Sequence, residues 1–127
     1  MIDSIANMLA HVKNCSRTRK VLIYIPYSKF KFNLSLAFER YRFVKRVSLL
    51  RYSINRSEIL IELAYNGYHN MIQDIVQVSK PGQRIYWNKK QLRVKRQIGI
   101  YFLSTSSGIK TNLDPTCVGG EVICNLV

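Results

Sequence analysis

Ile2, Ile5, Leu9 and Val12 recur at helical spacing, and Asp3 or Ser4 stands where it can accept the first-turn amides. This pattern predicts an amphipathic helix ending near Cys15, followed by a basic polar turn over Ser16 to Lys20. Val21 to Ile25 is β-branched and bounded by Pro26, which predicts a strand. Ser28 can cap a second helix, in which Phe30, Leu34 and Phe38 share one face with Tyr41 near it. Phe43 to Tyr52 alternates loosely and Glu58 to Tyr65 more clearly, predicting two strands paired as a hairpin.

The pattern changes after Tyr65 to Asn70, a stretch that holds a turn-forming Asn66-Gly67. We place a boundary there, giving an N-terminal α/β half over 1–66 and a mainly β half over 67–127. All six glycines lie from Gly67 onward, as a turn-rich β region requires. Short strands are predicted at Met71 to Ser79, Arg84 to Trp87, Gly99 to Ser104 and Glu121 to Val127. Pro81-Gly82 separates the first from the second. The predicted class is therefore α+β: an N-terminal α-β-α-β-β half packed against a mainly β half with short helical segments.

The charge balance changes the picture. Among 127 residues, 20 are Lys or Arg and only seven are Asp or Glu, a net charge of +13. A chain this small repels itself unless a polyanion neutralises it, and nucleic acid fits that need best. Lys13 to Lys20 and Lys89 to Arg96 are the two basic concentrations. The second is interrupted by Leu92 and Val94, which predicts a folded basic face and not a disordered arm.

Other classes find little support. No apolar run approaches a membrane span, and the helices lack the basic-versus-apolar split of an interfacial helix. There is no secretory signal pattern. Cys15, Cys117 and Cys124 form no C-x-x-C pair, so neither a zinc site nor a disulfide framework is expected. His11 and His69 have no spaced ligand partners, and no nucleophile, P-loop or dinucleotide motif stands out. The expectation is a non-enzyme with no cofactor, no metal, no small-molecule substrate and no membrane partner.

Four stretches carry a family resemblance. Asp3 to Leu9, continuing to Lys13-Asn14, is similar to D-P-I-A-D-M-L-T-R-I-R-N. Val78-Ser79-Lys80-Pro81-Gly82-Gln83-Arg84-Ile85-Tyr86 is similar to R-V-S-[RK]-P-G-x-R-x-Y. Ile98 to Ile109, with Ser104-Thr105-Ser106-Ser107-Gly108 at its centre, resembles L-G-I-x-[IV]-[LVI]-S-T-S-[KR]-G-[VI]. Val118 to Cys124 matches [LV]-G-G-E-[IV]-[IL]-C. In order and at near-family spacing, these resemble the eighth small-subunit ribosomal protein in its bacterial and organellar form. The chain departs from it at Ser4, at Ser107, over Val44 to Ser57, and at Pro115, where the family has a short helix.

The resemblance implies a two-domain α+β fold that binds central-domain small-subunit rRNA beside neighbouring ribosomal proteins and supports subunit assembly. A translational repressor using the same surface on mRNA is the alternative, as is a non-ribosomal basic nucleic-acid-binding protein. The residues suit RNA. Ser104, Thr105, Ser106 and Ser107 offer hydroxyls that both donate and accept, turned outward by Gly108. Tyr86 has a face for stacking, and Glu121 can accept from a base or from the serine turn. Gly119-Gly120 would let the backbone approach a partner closely. Trp87 points the other way from Tyr86 and is expected in the core. Lys80, Arg84, Lys110, Lys13, Asn14, Arg17, Arg19 and Lys29 are expected to position the RNA, mainly through phosphate. Abundant Ile, Tyr, Asn and Lys favour a mitochondrial ribosome over a bacterial one.

Overall fold

The computed structural model describes residues 4–67, 69–94, 99–115 and 117–127. The chain divides into two compact units, Asn7–Gln73 and Asp74–Val127, the latter taking in Met1–Ala6 as well.

The periodic apolar face of the first segment forms α1, Ser4–Arg17, with Met8, Leu9, Val12 and Cys15 buried. Asp3 and the side chain of Ser4, the expected caps, lie outside the described residues. In Asn7–Gln73, strand β1 (Leu22–Pro26) alternates cleanly, burying Ile23 and Ile25. Helix α2 (Lys29–Arg40) starts where predicted: Ser28 Oγ accepts from Lys31 N at 3.1 Å. Its buried stripe is Leu34, Ser35, Ala37 and Phe38, whereas Phe30 is exposed. Ser35 tolerates burial because its hydroxyl donates to Lys31 O at 2.8 Å. Strands β2 (Val44–Ser53) and β3 (Arg56–Leu63) form the predicted hairpin, and the antiparallel sheet runs β1-β3-β2. A two-strand ribbon follows, β4 (Tyr65–Asn66) with β5 (His69–Asn70).

The second unit is a sheet built around one strand. β6 (Ile75–Gln77), β7 (Tyr86–Asn88) and β8 (Ile100–Thr105) all pair with β10 (Gly119–Leu126), and β9 (Gly108–Thr111) pairs with β8. One face buries Tyr101, Leu103, Cys117 and Val122, with Val78, Ile85, Trp87 and Leu92 packed against them. Trp87 is thus in the core as expected, set edge-on to Tyr101 with ring centroids 4.8 Å apart.

Three details sharpen the sequence reading. The predicted strand over Met71 to Ser79 shrinks to β6, because Asp74 turns the chain: its side chain accepts from Ile75 N at 2.9 Å and its backbone bonds Val127 in both directions. The basic run opens as a helix, α3 (Lys89–Val94). Asn88 and Gln91 cap it reciprocally, each side chain accepting the other's backbone amide at 2.8 and 2.9 Å. Lys95 and Arg96 lie outside the described residues. Around Pro115 the described residues form turns and no helix, pinned by Asp114 N to Thr111 O and Cys117 N to Asp114 O, both 3.1 Å. A proline has no amide to continue a helix.

Candidate nucleic-acid interface

Strand β10 receives neighbours on both edges at its start, and that sets the site. Glu121 lies opposite Tyr86 of β7 on one side and opposite Ser104 of β8 on the other. Directly opposed residues in a sheet share a face. Tyr86, Glu121 and Ser104 therefore form a transverse row on the face away from Leu103 and Val122. Tyr86 is 63% exposed. Arg84 joins the row from the loop before β7, its Nη1 3.2 Å from Glu121 Oε1. The pair is partly solvent-exposed, so it contributes little stability. Its effect is to put a guanidinium and a carboxylate together beside an open aromatic face.

The sequence pointed Glu121 toward RNA or the serine turn. In the free protein its partner is Arg84. The glycine pair also has an internal partner. A Cβ at Gly119 would run into the Trp87 carbonyl and, at 2.8 Å, Asn88 Cα; one at Gly120 would run into the Ser104 carbonyl. Gly119-Gly120 thus lets β7 and β8 close on β10 from both sides.

The serine turn is laced from within. Thr105 Oγ1 donates to Gly108 O at 2.7 Å and accepts from Ser107 N at 3.2 Å. Ser106 and Ser107 occupy the exposed tip, and Gly108 takes φ +106°, which an L side chain rarely adopts. The turn therefore presents Ser106 and Ser107, while Thr105 holds its shape.

Another serine, not singled out from sequence, fixes the approach to β7. Buried Ser79 donates its hydroxyl to Ile85 O at 3.2 Å and accepts from Ile85 N at 2.9 Å. Between them Lys80 and Gln83 exchange backbone bonds of 3.0 and 2.9 Å around Pro81-Gly82. Lys80 is exposed on this loop. The signal was present, since Ser79 sits inside the V-S-K-P-G motif.

Lys110 is placed elsewhere. It pairs with Leu103 in register, so it belongs to the opposite face from Ser104, and it contacts Asp114 Oδ2 at 3.7 Å. In the other unit, Lys13, Asn14 and Arg17 lie along the C-terminal half of α1, with Asn14 and Arg17 exposed, and Lys29 is exposed at the start of α2. Arg19 does structural work there. It donates to Gly67 O at 2.6 Å and Asn70 Oδ1 at 3.0 Å, and its guanidinium lies 4.6 Å over the Tyr65 ring.

Among the described residues no group of three or more His, Cys, Asp or Glu could hold a metal ion, and no helix is long and apolar enough to cross a membrane. Burial pushes the Cys124 thiol well up from its ordinary value, leaving it a neutral core side chain.

Similarity to known proteins spans nearly the whole chain. The family model for ribosomal protein S8 matches residues 3–127. The small ribosomal subunit protein uS8 of Dictyoglomus thermophilum is 40% identical, over 96% of this chain and 95% of its own length. That of Acidiphilium cryptum is 32% identical over 99% of both chains. The small ribosomal subunit protein uS8c of Pyropia yezoensis is 32% identical over 96% of this chain and 95% of its own.

Proposed function

The chain belongs to the ribosomal protein S8 family, and from that premise we propose that it is a structural constituent of the small ribosomal subunit that binds central-domain rRNA directly. The role is to hold RNA in shape and support subunit assembly, with rRNA and neighbouring small-subunit proteins as partners. One observation carries the reading: three segments distant in sequence meet at Tyr86, Glu121 and Ser104 in a single open row, beside the Ser106-Ser107 turn.

Each part has a fitting task. Tyr86 offers its face to an unstacked base, and the serine hydroxyls suit 2′-hydroxyls and base edges. Glu121, neutralised by Arg84, can accept from a base amino group without repelling the backbone. Lys80 on the same unit, and Lys13, Arg17 and Lys29 on the other, supply phosphate attraction that falls with salt. Lys110 would bind phosphate only from the other side of the sheet. The composition supports a mitochondrial ribosome; the bacterial and plastid relatives add nothing to that choice.

The test is binding to a central-domain rRNA fragment against a duplex of equal length over a range of salt. A preference that survives rising salt is expected. In that assay Ser106→Ala should lose about 1–3 kcal/mol, the cost of leaving a polar partner unsatisfied. Equal binding of both RNAs that collapses together with salt would refute the reading, since charge alone would then be acting.

A further inference from the structure

Val44 to Ser57, which matches the family pattern poorly, carries a feature of its own. At the tip of the β2–β3 hairpin, beside the end of β1, lies an open cleft of about 620 Å³. Two aromatic side chains border it, Tyr27 at 43% and Tyr52 at 54% exposure, and Ile54 at the turn is 99% exposed. Both rings are held in place. Tyr27 packs against Phe32 with centroids 6.1 Å apart, and its amide donates to Ser57 O at 3.2 Å. The Arg56 guanidinium lies 5.3 Å over the Tyr52 ring.

Arg51 lines the cleft together with the neutral hydrogen-bonding side chains Ser53, Asn55 and Ser57. No acid is among the lining residues. Glu58, next in sequence to Ser57, is engaged by the Tyr52 hydroxyl; desolvation first, then this carboxylate, push the phenol up from its ordinary value and keep it neutral.

We propose that this cleft is a second RNA site, taking one unpaired nucleotide: the base stacks on Tyr52, Arg51 meets its phosphate, and the neutral side chains bond base or ribose. The proposal rests on the RNA-binding role set out above. The chemistry selects a nucleotide because it joins flat π-faces to a cation in a chain of net charge +13. A neighbouring protein would have to bring a carboxylate to Arg51 as well as apolar groups to Ile54 and the rings, whereas one nucleotide carries both the anion and the flat face.

The test titrates the full chain with hexauridine and follows backbone amide chemical shifts. The expected result is perturbation at Tyr27 and over residues 51–57. Tyr52→Ala should weaken it about tenfold or more, in line with the usual worth of base–aromatic stacking. Tyr52→Phe, which keeps the ring, should restore it. Perturbation confined to residues 84–121, no perturbation at all, or indifference to Tyr52→Ala would each overturn the proposal. Central-domain fragment binding on the same samples reports the underlying reading separately: its loss in the unmodified chain sinks that reading and not the cleft. In assembled small subunits, an Ile54→p-benzoylphenylalanine chain should cross-link to RNA on irradiation. A cross-link to protein instead would assign the cleft to a protein neighbour and overturn its nucleotide role.

Discussion

Replacing Gly120 by alanine should damage the row while adding a single methyl group. The new Cβ would run into the Ser104 carbonyl oxygen and sit 3.0 Å from the carbon of that carbonyl and 3.2 Å from Thr105 Cγ2. The first two are backbone atoms of β8, paired through Glu121 and Val122 to the same strand, so they cannot move aside without breaking the ladder. Overpacking of this kind costs about 1–3 kcal/mol. Loss of glycine's freedom in the unfolded chain returns about 0.4–1 kcal/mol. The net destabilisation is about 1–2 kcal/mol, which lowers a urea midpoint by roughly 0.5–1 M. Gly82→Ala is the control: a Cβ there meets nothing within 4 Å, so the sign should reverse to a gain of about 0.4–1 kcal/mol. Because the strain falls on Ser104 and Glu121, RNA affinity should drop with Gly120→Ala even well below the unfolding transition. A midpoint at or above that of the unmodified chain, with unchanged affinity, would refute the claim that this glycine exists to let β8 close on β10.

Three further outcomes are expected. Ser79→Ala removes a buried hydroxyl that both donates to and accepts from Ile85, and should cost about 1–3 kcal/mol in chemical denaturation. Arg19→Lys cannot keep both hydrogen bonds and the stacking on Tyr65, so thermal melting should show a loss of about 1 kcal/mol, while the exposed Arg17→Lys stays neutral. Cys15, Cys117 and Cys124 are all buried, so iodoacetamide should label none of them in the folded protein and all three in denaturant, as read by mass spectrometry.

Long periodic segments were legible in the sequence. The α1 stripe, the Ser28 cap and the β2–β3 hairpin appear because burial on one face imposes a period. Elements fixed by local polar bonds were harder to see. Helix α3 has only six residues, too few to show a period, and its signature is the pair Asn88 and Gln91. Strand β9 was hidden by its shortness and by the serine turn before it.

The candidate site divides in the same way. Motifs pointed to Ser104, Tyr86 and Glu121, but not to their alignment, which depends on the register of three strands. Lys110 and Arg19 show the limit of counting cations. Lys110 is set by strand parity on the other face, and Arg19 is drawn into a clasp by a tyrosine ring, a glycine carbonyl and an asparagine side chain some fifty residues away.

The position of β10 at the centre of its sheet bears on how the protein is made. Translation releases β6, β7, β8 and β9 before residue 119 emerges. Of these, only β8 and β9 have each other to pair with; β6 and β7 find their partner only in β10. The nascent chain thus carries the cations of Asn7–Gln73 before Tyr86, Glu121 and Ser104 can align. The attraction for RNA comes first and the discrimination last, switched on in one step when a single strand slots between two waiting edges. Pairing over such sequence distances slows the closure of a sheet, and RNA already gathered by the earlier charges would be present to meet it.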